Sequence, residues 1–173
     1  MGQGYGLKCE TCTYSISIKM GVGMMYSPHA VFYGRCDDLT QNWSTVFPDG
    51  FCREGKPLLS SLVNCKRIKN KAFKMLADGA VPLENEYGHE LYVCTKCMRL
   101  SNRFHFNLES SSEKYEPDYR CTACKTLLSR VDVCFDSNDN ARFIYKNQQV
   151  ILWKCPKCGG DSLVHDGSYV MWD

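Results

Sequence analysis

Twelve of the 173 residues are cysteine, and eight of these stand in four Cys-x-x-Cys pairs: Cys9/Cys12, Cys94/Cys97, Cys121/Cys124 and Cys155/Cys158. Random placement at this composition yields about one such pair. A two-residue gap lets both sulfurs of one tight turn approach a single tetrahedral ion, whereas a disulfide scaffold spreads its cysteines to bridge distant segments. The spacing therefore favours thiolates on metal over cross-links. Four sulfurs serve one ion, so the pairs predict two Zn2+ sites. Each would be a closed four-sulfur shell with no position left for an activated water, which is structural rather than catalytic chemistry.

Two pairings are open. In the nested one, Cys9, Cys12, Cys155 and Cys158 form the first site and Cys94, Cys97, Cys121 and Cys124 the second. The alternative joins neighbours in order, Cys9/Cys12 with Cys94/Cys97 and Cys121/Cys124 with Cys155/Cys158. The nested arrangement is favoured because only 23 residues separate Cys97 from Cys121, enough for a strand, a loop and a returning strand. Iron suits four sulfurs as well as zinc does.

Other candidate ligands lack a pattern. His29, His89, His105 and His165 have no partner histidine at ligand spacing and read as ordinary surface or packing residues. Of the unpaired cysteines, Cys65 and Cys134 fall on apolar or alternating stretches that predict burial, and Cys36 and Cys52 fall in a polar loop where a third metal site is a minor alternative. No serine–histidine–aspartate order, metalloprotease motif or P-loop appears. An enzymatic alternative would have to place its site in residues 24–55, around His29 or Asp37/Asp38.

The elements that must hold these sulfurs are short. Ser15 to Met20 alternates as a half-buried strand and pairs into a hairpin with the first knuckle's approach. Residues 35–55 read as a long loop. Pro57 followed by Leu58, Leu62, Cys65, Ile68, Ala72, Met75 and Leu76 predicts one main helix over about 57–77, closed by Asp78-Gly79. Ala80 to Gly88 reads as a connector. Strands follow at His89–Val93, Arg103–Leu108, Leu127–Phe135 and Arg142–Trp153, with a final hairpin from Ser162 to Trp172. The expected fold is a small α+β protein: two zinc ribbons of short antiparallel strands plus that helix. Its expected units are an outer ribbon from residues 1–23 and 142–173, a loop and helical insertion at 24–88, and an inner ribbon at 89–141.

Cys155-Pro156-Lys157-Cys158-Gly159-Gly160 resembles the Cys-Pro-x-Cys-Gly knuckle of the zinc-ribbon superfamily, with its rubredoxin-like turns, and the chain is similar to small bacterial zinc-ribbon proteins. The other three knuckles carry Thr13, Met98 and Lys125 where the family usually has a left-handed glycine, at a cost of about 1 kcal/mol each. The resemblance covers the knuckles and their flanking strands. It implies a binding or adaptor module that presents loops and strands to a protein or nucleic-acid partner.

Charge refines this. Two loaded four-cysteine sites would turn the formal net charge of +2 into about −2, so the metal-bound chain is not globally basic. The one basic stretch is the helix, with Lys66, Arg67, Lys69, Lys71 and Lys74 and no acidic residue between Lys56 and Ala77. It is a candidate face for an anionic partner, against the plainer reading of a solvated helix surface. No membrane partner is expected, since no apolar run is long enough to span a bilayer. The start of the sequence has no secretory pattern, so the expected location is the cytoplasm. A second functional class is redox or metal handling, in which some pairs release zinc and form disulfides.

Overall fold

The computed structural model describes residues 2–23, 26–35, 55–145, 149–161 and 163–172. Most of residues 24–55, with Asp37, Asp38, Cys36 and Cys52, lies outside the described residues.

Two antiparallel sheets carry the fold. The first has three strands, β1 (Gly2–Cys9), β2 (Ser15–Met20) and β9 (Leu163–Trp172), in the order β2-β1-β9. The second has six: β3 (Val81–Val93), β4 (Leu100–Glu109), β5 (Lys114–Tyr115), β6 (Ser129–Phe135), β7 (Ala141–Tyr145) and β8 (Gln149–Leu152), in the order β5-β4-β3-β6-β7-β8. β1 is buried at alternate positions along much of its length, as a strand packed on one face should be. It holds β2 from Gln3↔Met20 to Lys8↔Ser15 and β9 from Gly2↔Trp172 to Cys9↔Leu163, so the two ends of the chain share one strand.

The expected α+β architecture of two small ribbons and one main helix is wrong. Among the described residues strands far outweigh helices, and the helices are short. The 57–77 segment breaks into α1 (Leu59–Leu62) and α2 (Lys66–Ala77), with Val63 extended between them at φ −107° and ψ 106°. The helical spacing is satisfied on both sides of the break. Leu59, Val63, Ile68, Ala72 and Met75 all reach one core, which periodicity alone cannot distinguish from an unbroken helix. A π-helical turn, His29–Tyr33, adds Val31 and Phe32 to the same core.

Three further expectations change. Ala80 to Gly88 is no connector: from Val81 it is the first half of β3, the longest strand among the described residues, bulged where pairing passes from Pro82 to Tyr87. The expected strand 142–153 folds back as β7 and β8, paired from Arg142↔Leu152 to Tyr145↔Gln149. The expected final hairpin is the single strand β9.

The buried side chains divide into two clusters. One places Phe104, Phe106 and Leu108 of β4 against the helices, the π-helical turn, Tyr92 and Tyr119. The other gathers Leu7, Ile18, Leu91, Val93, Val131, Phe143, Trp153 and Leu163 where the two sheets meet. The sheets are joined by the bridge Gly21↔His89 and by Asn102, whose side-chain amide donates to the Lys19 carbonyl at 2.6 Å. At this junction Gly88 is obligatory: a β-carbon there would stand 2.9 Å from the Gly21 carbonyl oxygen.

Candidate metal centres

Each knuckle is a turn that the backbone closes on itself. The N–H of the first cysteine donates to the carbonyl five residues on: Cys9 to Tyr14 (2.9 Å), Cys94 to Arg99 (2.9 Å), Cys121 to Thr126 (2.8 Å) and Cys155 to Gly160 (2.7 Å). In the last three, the residue after the second cysteine returns a bond to the first: Met98 to Cys94, Lys125 to Cys121 and Gly159 to Cys155. That residue is left-handed in all three, at φ 60°, 61° and 76°. Met98 and Lys125 therefore occupy the glycine conformation without being glycine. Thr13 avoids it, as a β-branched residue should, and the first knuckle lacks the second bond.

The structure brings the cysteines together in the nested arrangement. The sulfurs of Cys9, Cys12, Cys155 and Cys158 lie within 4.8 Å of one another, and so do those of Cys94, Cys97, Cys121 and Cys124. Measured separations are 3.6 Å for Cys9–Cys158, 3.7 Å for Cys12–Cys155, 3.3 Å for Cys94–Cys124, 3.5 Å for Cys97–Cys121 and 3.8 Å for Cys97–Cys124. A disulfide requires about 2.05 Å, and all eight are free thiols. Sulfurs at about 2.3 Å from one ion, disposed tetrahedrally, stand about 3.8 Å apart. Both tetrads fit a four-thiolate ion.

Electrostatics points the same way. The hydroxyl of Thr11 lies 3.1 Å from the sulfurs of both Cys9 and Cys158. It is the main reason the Cys9 thiol is lowered to about 6. Thr126, 3.4 Å from Cys124, lowers that thiol to about 6 in the same way. Burial, with smaller effects from the neighbouring thiols, pushes Cys12 up to about 12. At Cys97 the Arg99 backbone lowers the thiol, but burial and the three facing thiols outweigh it and raise it to about 12. Four packed sulfurs thus hold negative charge unevenly among themselves, and a divalent cation is what would let all four ionise together.

The tetrads differ in surroundings. In the central one Cys94 and Cys121 are buried and Cys97 and Cys124 half-buried, within the helix-covered core. In the terminal one Cys9 and Cys155 are buried but Cys158 is exposed. Lys157 of the fourth knuckle reaches across to the Thr13 hydroxyl of the first at 2.5 Å, and Gly160 leaves room for Thr11, whose hydroxyl would meet a β-carbon at 2.8 Å. The indole N–H of Trp153 donates to the Met98 carbonyl at 2.6 Å, tying the fourth knuckle to the second.

The remaining candidates stand apart from both sulfur groups. His29 is exposed, His165 packs on Phe135, and His89 and His105 are depressed to about 4, chiefly by burial. Cys65 is half-buried at the start of α2, and Cys134, expected inside, is exposed on β6. The basic helix face is partly compensated. Arg67 pairs with Asp118 at 2.8 Å, Lys71 lies 3.9 Å from Glu113 and over the Tyr115 ring, and Lys69 donates to the Ser60 carbonyl. Lys66 and Lys74 are exposed. No helix among the described residues is long and apolar enough to cross a membrane.

Comparison of the chain with protein-family models, with curated proteins and with solved structures finds no match.

Proposed function

We propose that this chain is a structural-zinc protein of the zinc-ribbon type, working in a reducing compartment such as the cytoplasm as a binding or adaptor module for a protein or nucleic-acid partner. The observation that supports the reading is the nested gathering of eight sulfurs into two sets whose spacings suit a four-thiolate ion. Cys9, Cys12, Cys155 and Cys158 would hold one Zn2+ and Cys94, Cys97, Cys121 and Cys124 the other. An ion in such a shell supplies folding free energy and no open coordination site. The residues around it set charge and position: Thr11 and Thr126 hydrogen-bond the sulfurs, and the knuckle backbones fix their directions. Native mass spectrometry with elemental analysis tests the reading, with two zinc ions per chain expected. One ion or none, or iron at both sites, would refute it.

A second reading has one observation in its favour. Cys158 is exposed beside three other thiols, so oxidants reach the terminal tetrad more readily than the central one. In this redox alternative, mild peroxide releases one zinc per chain and forms disulfides within the terminal set. Retention of both ions with no thiol loss there excludes it.

A further inference from the structure

Two clefts of opposite charge flank the loop 116–122. One, about 730 Å³, carries Glu90, Glu116, Asp118 and Asp132 against the single cation Arg130 among the described residues. The other, about 630 Å³, lies between β2, β4 and the start of α2, and among the described residues its wall holds Lys19, Arg67, Arg103 and Arg120 and no carboxylate. We propose that this basic cleft binds a polyphosphate-bearing ligand, such as a nucleoside diphosphate or inorganic pyrophosphate.

Arg103 and Arg120 are not held by contact with a local acid. Among the described residues neither Arg103 nor Arg120 is ion-paired, and the buried Nε of Arg103 has no hydrogen-bond partner. Arg103 is instead held by its guanidinium over the Tyr119 ring at 5.8 Å, and Arg120 by donating to the Lys125 carbonyl. A buried N–H donor such as the Nε of Arg103 is costly to leave unpaired unless an acceptor such as an anion completes it. Arg67 pairs with Asp118, which lines the other cleft and stands close enough to Arg120 for their charges to interact. Arg67, Arg103 and Arg120 exceed Asp118 by about two positive charges, which a single carboxylate would leave partly unmatched and a diphosphate would meet. Arginine's planar fork suits phosphate oxygens.

Backbone adds to the side chains. Asn64, Cys65 and Arg67 in the same wall are the start of α2, whose Cys65 cap makes no side-chain hydrogen bond and whose first turn has no acidic residue. The donors of that turn favour an anion. The volume lies within the roughly 300–1,000 Å³ of small-molecule sites. Because Arg120 precedes Cys121, the central tetrad fixes one arm of the cleft, but the inference does not depend on which metal is bound.

Calorimetric titration of the metal-loaded full chain with pyrophosphate, ADP and orthophosphate tests the assignment, with metal counted in the same samples. Pyrophosphate and ADP should bind, orthophosphate more weakly, and all three less tightly as salt rises. Tighter binding of ADP than of pyrophosphate would identify the nucleotide as the natural form, and equal binding the bare diphosphate. The double variant Arg103→Gln/Arg120→Gln should weaken pyrophosphate at least about tenfold, while Lys74→Gln on the solvent face of α2 should change it little. Amide shifts in the unmodified protein give a readout independent of any variant, and pyrophosphate should move Asn64, Arg67, Arg120 and Thr122. Absence of binding at low salt with both metals retained, unchanged binding by the double variant, or shifts confined to the acidic cleft would overturn the proposal. Binding by a chain that holds no metal would refute the zinc reading and leave the cleft standing.

Discussion

At the scale of single residues, the knuckles show what the chain tolerates. Lys125 is left-handed at φ 61°, its side chain exposed with the ammonium on the Thr122 carbonyl. Lys125→Gly should raise stability by up to about 1 kcal/mol, relief of the left-handed conformation exceeding the extra entropy of the unfolded chain. Thr13→Gly, where no such conformation exists, should not. Urea midpoints of the metal-loaded proteins distinguish the two. His105 gives a pH dependence. Burial, aided by the charge of Arg130, holds its imidazole down to about 4, with Nδ1 bound to the Tyr92 hydroxyl at 2.9 Å. Glu116 stands 3.8 Å away, but a neutral ring forms no ion pair with it. The folded-state value lies below the unfolded value of about 6.5, so the contribution is complete above that pH and is lost as pH falls from about 6.5 towards 4. Between pH 6.5 and 4.5, wild type should lose up to roughly 2–3 kcal/mol more than His105→Gln. Equal losses in denaturation at matched pH and excess zinc would contradict this.

At the scale of elements, Trp153 links β8 to the second knuckle. Its indole is buried on Phe143 and donates to the Met98 carbonyl. Trp153→Phe keeps most of the apolar contact and leaves that carbonyl unpaired, so it should cost about 1–3 kcal/mol, measured by chemical denaturation. A change below a few tenths would show that water replaces the bond. The cysteine spacing and the alternation of Ser15 to Met20 made the knuckles and the first hairpin legible from sequence. The helix was less so, because Val63 and Cys65 keep the apolar period while the backbone is extended, and only tertiary packing decides that. β3 was hidden because Pro82, Glu84, Asn85 and Gly88 resemble a loop. Its pairing with β4 supplies what local propensity does not, and Asn85 at φ 60° sits in the bulge. The basic cleft could not be read at all, since Lys19, Arg67, Arg103 and Arg120 meet only through the fold.

At the scale of the whole molecule, each tetrad belongs to one core: Cys94 and Cys121 to the helix-covered cluster, Cys9 and Cys155 to the cluster between the sheets. Loss of either ion should loosen one core before the other. Cys158→Ser should leave one zinc per chain and preserve amide protection in β3 and β4, whereas Cys94→Ser should expose α2 and β4. Elemental analysis and hydrogen exchange check both outcomes, and equal loss of protection everywhere would show a single cooperative unit instead. The acidic and basic clefts meet at the Arg67–Asp118 pair, so a cation and an anion can approach the molecule from neighbouring directions.

The sharing of β1 between β2 and β9 carries a consequence for how the protein is made. During translation Cys9 and Cys12 emerge first, yet their companions Cys155 and Cys158 arrive roughly 7–30 s later at ordinary ribosomal speeds. The central quartet can close while the nascent polypeptide is still tethered, and β9 then clasps β1.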